Sequence, residues 1–203
     1  MKLLLITLVM ILSISSFAQF NRGDKYIGGY FGLNLQNKPS GNNGVTSVKN
    51  NSISISPLLG VFMNDHFAVG GELGYSNQYY SAKSGSYLTK QSSHSYSAGL
   101  FARRYFPISE KFFASITGSV YFSRGVITYH DSSLENKSNN FSLSTVINPS
   151  LLFFPSTHWS IEARFGSLGY SYQKNLSDNV GLSTFNLNFG NVALGLIYYL
   201  SKE

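Results

Sequence analysis

The residues that could do chemistry in this chain are few. Its histidines stand at 66, 94, 130 and 158, and it has no cysteine. His158-Trp159-Ser160, with Glu162 just beyond, holds the three residue types of nucleophilic acyl transfer: an imidazole to take a proton, a hydroxyl to attack, and a carboxylate to orient the imidazole. Residues two apart on a strand share a face without having to hydrogen-bond, so this spacing permits a dyad and does not impose one. His130-Asp131-Ser132 offers the same types, but in a polar stretch they serve a turn equally well. No histidine pair has a zinc-like interval. Without cysteine a thiolate metal site, a disulfide framework and a lipid-modified cysteine are excluded. No metal and no cofactor is expected.

The second constellation is ionic. Only 12% of the residues are charged, against a typical ~25%, yet Glu72, Arg103, Glu162 and Arg164 sit inside segments of otherwise apolar and small residues. What positions them is a period-two pattern. From Ser52 to Met63 the odd positions include Ile53, Ile55, Pro57, Leu59 and Val61, and the even ones begin Ser52, Ser54, Ser56. The same alternation runs through 26–35, 67–75, 96–106, 112–122, 141–153, 159–166 and 185–200. Such segments are strands with one greasy face and one small or polar face. All four charges fall on the less apolar face. In the last segment the parity changes near Gly190-Asn191, which a bulge would explain. Pro57 and Pro149 lie mid-segment, where each costs a ladder donor.

Connections between these segments alternate in length. Short ones hold Asn64-Asp65-His66, Pro107 to Lys111, and Pro155 to His158; polar ones over 36–51, 77–92, 123–140 and 173–184 are long. Even strand number with short turns at one end and long loops at the other is the layout of an outer-membrane barrel. Nineteen glycines and 15% aromatics suit strands and turns. Aromatics such as Tyr105, Phe106, Phe153, Phe154, Trp159, Tyr170, Tyr172, Tyr198 and Tyr199 cluster near segment ends, where interfacial girdles are expected. The fold class expected is all-β: an eight-stranded antiparallel up-and-down transmembrane barrel.

The start of the chain reads as a signal peptide. Lys2, the apolar run from Leu3 to Ile14, and Ser16-Phe17-Ala18 give the charged, apolar and small-residue parts of a secretory leader cleaved after Ala18. The expected organisation is a leader over 1–18 and one barrel domain over 19–203. The net charge of +6 comes from scattered residues, among them Lys38, Lys49, Lys83, Lys90, Lys137 and Lys174. Without a basic cluster interleaved with aromatics, no nucleic-acid partner is expected. Contact with anionic lipid or polysaccharide head groups fits better.

Three resemblances follow. Gly195, Tyr198 and Leu200 resemble the β-signal by which the barrel assembly machinery recognises a final strand; Ala193 and the trailing Ser201-Lys202-Glu203 depart from it. Phe101-Ala102-Arg103-Arg104-Tyr105-Phe106-Pro107, followed by Ser109-Glu110-Lys111, resembles the fourth strand, turn and fifth strand of the outer-membrane β-barrel domain family common in Bacteroidetes. That likeness implies a fold and a compartment, not a reaction. His158-Trp159-Ser160 resembles the His-x-Ser element of outer-membrane lipid A deacylases, but it falls at a short turn expected on the periplasmic side, opposite to where those enzymes act.

The expected protein is therefore a non-enzymatic, monomeric barrel in outer-membrane lipid, with both termini periplasmic and a structural or surface-interaction role. An eight-stranded lumen is just wide enough for side chains to fill it, so Glu72, Arg103, Glu162 and Arg164 are expected to pair as a polar and charged plug. A narrow channel for small solutes is the alternative. A lipid-modifying enzyme would need His158, Ser160 and Glu162 to converge, and a soluble periplasmic calyx would need the apolar faces turned inward. No external ligand is legible.

Overall fold

The computed structural model describes residues 20–38, 45–84, 87–131, 134–176 and 180–200. The expected signal peptide, the tips around Gly41 to Gly44 and Gly85-Ser86, and the last three residues lie outside them. Eight strands follow one another: β1 Lys25–Lys38, β2 Val45–Asn64, β3 Phe67–Ser84, β4 Tyr87–Pro107, β5 Phe112–Asp131, β6 Leu134–Ser156, β7 Trp159–Asn175 and β8 Gly181–Leu200. Each pairs antiparallel with its neighbour and β1 pairs with β8, closing an up-and-down barrel.

The outward and inward sets follow the alternation. Ile53, Ile55 and Leu59 are exposed while Leu58 and Phe62 are buried; Leu100 and Ala102 are exposed while Phe101 and Arg103 are buried. The ladder also fixes the tilt. From Phe31 it runs one way through Ile55 and Tyr75 to Tyr96. The other way it runs through Leu194, Ala163, Leu151 and Ala114 to Phe106. The circuit thus returns to β4 displaced by 106 − 96 = 10 residues, a stagger that tilts the strands by about 40°.

Two aromatic belts bound the outer apolar band. Near the short turns, Trp159 packs on Tyr198 (4.8 Å between ring centres) and Phe112 on Phe153 (5.0 Å). Higher up, Tyr75 meets Tyr96 (5.2 Å), Phe122 meets Phe141 (6.0 Å) and Phe141 meets Tyr172 (6.4 Å). Ten residues separate Phe112 from Phe122, which at ~3.3 Å per residue and a tilt of about 40° is roughly 25 Å of height. Tyr105, Phe154 and Tyr199, expected in the belts, are instead buried inside the barrel, because they occupy inward parity beside outward Phe106, Phe153 and Tyr198.

Three further features depart from the sequence expectations or resolve them. The four long connections are mostly strand: β4 pairs with β5 as far as Lys90↔His130, and β5 with β6 as far as Asp131↔Leu134. Backbone pairing needs no apolar face, so polar residues above the upper belt extend the ladder into a collar. Pro57 stands at a gap in the β2–β3 ladder between Ile55↔Tyr75 and Leu58↔Glu72, and Pro149 at the β6–β7 shift between Ile147 and Ser150. Each proline thus stands beside a break in the ladder on one side of its strand, while Pro57 stays opposite Gly29 and Pro149 opposite Ile116 on the other. The parity change of β8 is present, with Phe189 and Val192 both exposed. It is matched across β7 at Gly166, where the register shifts between Phe165 and Ser167. Gly166 has φ of +67° and a Cβ there would strike the Asn188 carbonyl, so the bulge requires glycine.

Candidate functional site

The inward side chains form layers. Nearest the short turns, every strand contributes one residue to a disc: Tyr26, Phe62, Ala68, Tyr105, Phe113, Phe154, Ser160 and Tyr199, all buried. Phe20, ahead of β1, fills its centre. The Phe20 ring stacks on Phe62 at 4.2 Å and meets Tyr105, Tyr199, Phe113 and Phe154 at 5.1 to 5.8 Å. The expected plug of polar and charged residues is therefore incomplete as a description, since an apolar aromatic disc closes this end. Its signal in the sequence is an aromatic at inward parity near the ends of several strands.

Above the disc lies the ionic layer. Arg103 on β4 donates from Nη1 to Glu162 Oε2 on β7 (2.9 Å), from Nη2 to the Tyr30 hydroxyl (2.7 Å) and from Nε to Thr117 Oγ1 (2.9 Å). Both Arg103 and Glu162 are wholly buried. Further hydrogen bonds compensate the lost hydration on the arginine side, whereas Glu162 Oε1 is buried without one. The second pair sits one step higher: Arg164 Nη2 donates to Glu72 Oε2 at 3.2 Å, and its guanidinium lies over the Tyr30 ring at 3.5 Å. The structure thus brings Arg103 to Glu162 and Arg164 to Glu72, with Tyr30 between the two arginines.

Close approach of large to small residues makes this filling possible. A Cβ on Gly195 would sit 2.6 Å from the Tyr30 ring, so the glycine at the start of the β-signal-like element is also the notch that admits Tyr30. Tyr198 and Leu200 face outward on the closing strand, Leu200 opposite Lys25.

Above Arg164 the lumen is open. A cavity of about 590 Å³ is lined by Asn34, Gln36, Ser52, Ser54, Asn148, Arg164 and Ser167, together with outward residues of β1 and β8 such as Leu33 and Val192. The expectation that side chains fill the whole lumen is corrected here: small Gly, Ser and Asn at the inward positions leave a cup.

The hydrolase constellation does not assemble. Ser160 is buried and its hydroxyl meets that of Tyr199 at 3.2 Å, exposed His158 places Nδ1 3.0 Å from Thr157 Oγ1, and Glu162 is held by Arg103. Among the described residues no group of His, Asp or Glu could hold a metal ion.

No protein-family model matches the sequence, and no curated protein matches it. Among solved structures, the attachment invasion locus protein Ail of Yersinia pestis, crystallised with the heparin analogue sucrose octasulfate, is 18% identical. The match covers 88% of this chain and 99% of that one, with a TM-score of 0.50. The shared fold is the small outer-membrane β-barrel. Also similar are the outer membrane protein OprG of Pseudomonas aeruginosa, at 13% identity, 91% and 99% coverage and a TM-score of 0.46, and the outer membrane protease OmpT of Escherichia coli, at 8%, 88% and 94%, and 0.44.

Proposed function

We propose that this chain is an integral outer-membrane barrel with a structural or surface-interaction role, its lumen closed at the short-turn end and its polar collar facing outward. The observation that carries the reading is the closed barrel with an apolar outer band of about 25 Å between two aromatic belts, the height of the lipid-facing zone of such barrels. A calyx in water would leave Leu100 (74% exposed), Leu33 (60%) and Leu194 (58%) unsatisfied; lipid covers them. Export follows from cleavage after Ala18, which leaves Phe20 as the second residue of the mature chain and free to enter the barrel end.

Both termini are assigned to the periplasm, since the short turns belong there, and assembly proceeds through recognition of Gly195, Tyr198 and Leu200. The segment from Phe101 to Lys111 supports placement with the Bacteroidetes barrel domains. A conducting channel is disfavoured by the disc around Phe20 and the wholly buried Arg103–Glu162 layer, and lipid hydrolysis by the separate partners of His158, Ser160 and Glu162.

Fractionation with gel mobility tests the reading. Protein that resists carbonate extraction from envelopes and migrates faster unboiled than boiled supports it. Soluble protein with no mobility shift overturns it.

A further inference from the structure

The barrel wall is joined over only part of its height on one side. Among the described residues, β1 and β8 pair from Lys25↔Leu200 to Phe31↔Leu194. Beyond that, β1 runs on to Lys38 paired with β2 alone, and β8 back to Gly181 paired with β7 alone. Two strand edges therefore diverge with their backbone groups unjoined. Their depth follows from the ladder: from Phe31 one direction climbs to Tyr96 in the upper belt, and the other descends to Phe106 near the lower one. The seam opens at mid-height and lies in the upper half of the apolar band.

An open sheet edge facing hydrocarbon is costly unless it lines a polar cavity or is covered. Here it lines the cup. Leu33, Leu35 and Val192, which point outward, share the cavity with inward Asn34, Ser52, Ser54, Asn148 and Arg164, so the cup reaches through the wall. Arg164 is the one charged side chain among the described residues that line it. Its side chain is 11% exposed, Glu72 takes Nη2, and Nε is shielded with no hydrogen-bond partner. Directly below the seam on the outer wall, an apolar notch of about 460 Å³ lies over Gly29, walled by Phe31, Ile55, Pro57, Ile161 and Leu194. Phe31 and Leu194 are the last joined pair, so the notch begins where the seam ends.

We propose that this seam is a binding site for an anionic amphiphile, whose carboxylate or phosphate head enters the cup toward Arg164 and whose acyl chain leaves through the seam and lies in the notch over Gly29. The volumes fit a small-molecule site, and the part-exposed Arg164 guanidinium lining the cup favours an ionised acceptor. The proposal rests on the membrane reading above, and places entry from the lipid leaflet on the collar side.

The test uses the full mature protein in bilayers of zwitterionic phospholipid, with a fatty acid carrying a diazirine in its chain as the probe. Heat-modifiable mobility is read on the same samples, so failure of the membrane-barrel reading shows separately from failure of the site. The expected result is cross-linking concentrated at 31–35 and 192–196. Oleate or phosphatidic acid should compete and oleyl alcohol should not, the better of the two acids telling carboxylate from phosphate. Arg164→Gln should cut the adduct at least fivefold. Asn34→Trp, which fills the cup while leaving Arg164 and Glu72 unsubstituted, should do the same and decides the matter if Arg164→Gln fails to fold. Adducts spread evenly around the band, equal competition by the alcohol, or undiminished labelling in folded Asn34→Trp would overturn the proposal. So would a dimer without seam adducts, which would give the open edges to a second copy of the chain.

Discussion

The Arg164 guanidinium lies 3.5 Å from the centre of the Tyr30 ring, while the hydroxyl of that same ring accepts 2.7 Å away from Arg103. One tyrosine thus couples the two ion pairs of the lumen, by its face to one and by its edge to the other. Tyr30→Phe keeps the face and removes the acceptor, and is expected to cost about 1–2 kcal/mol. Tyr30→Leu removes both and should cost about 1–2 kcal/mol more. Urea midpoints followed by gel mobility would separate them; equal midpoints would mean that the stacking contributes nothing.

Arg103 and Glu162 stabilise the barrel mainly by each satisfying the other. Arg103→Met leaves a buried carboxylate alone and should lower stability by about 3–5 kcal/mol, whereas Arg103→Met with Glu162→Leu should recover most of that loss. A double variant no better than the single one would show that the hydrogen bonds of Arg103 to Thr117 and Tyr30 matter more than the charge pair.

Phe20→Ala empties the centre of a disc to which all eight strands contribute. Removing a buried phenyl group typically costs about 3–5 kcal/mol, so the temperature at which the folded gel band disappears should fall clearly. An unchanged transition would show that the ring of Tyr26, Phe62, Tyr105 and Tyr199 closes without it.

Tyr198 packs outward on Trp159 and is not part of the lumen. Tyr198→Ala should therefore refold in detergent close to the unaltered protein, yet reach the outer membrane several-fold less in cells if the last strand is read by the assembly machinery. Parallel losses in both assays would make its role one of packing only.

Orientation has a direct readout. A protease site inserted at 85–86, beyond the collar end of β3, is expected to be cut on intact cells. The same site inserted at 109–110 should be cut only after the outer membrane is opened. The reverse pattern would invert the assignment of the termini.

How much of this was legible differs between the wall and its interior. Outward parity on every strand could be read in the chain, because hydrocarbon demands apolar residues at each second position and the pattern is local. The even strand number and alternating connections likewise needed no coordinates. The strand lengths did not: Lys90 and His130 pair above the band, where water imposes no hydrophobic signature on a ladder. That Glu72, Arg103, Glu162 and Arg164 share the inner face was readable from parity, but parity gives a face and not a partner. Which arginine meets which carboxylate depends on the stagger of ten residues around the barrel, set by all eight registers together. The same closure brings Phe20 into a disc with residues as distant as Tyr199 and, among the described residues, leaves β1 and β8 joined only up to Phe31 and Leu194. Local periodicity determined the composition of the two faces; the register of a closed ring decided what meets across the lumen and where the wall opens.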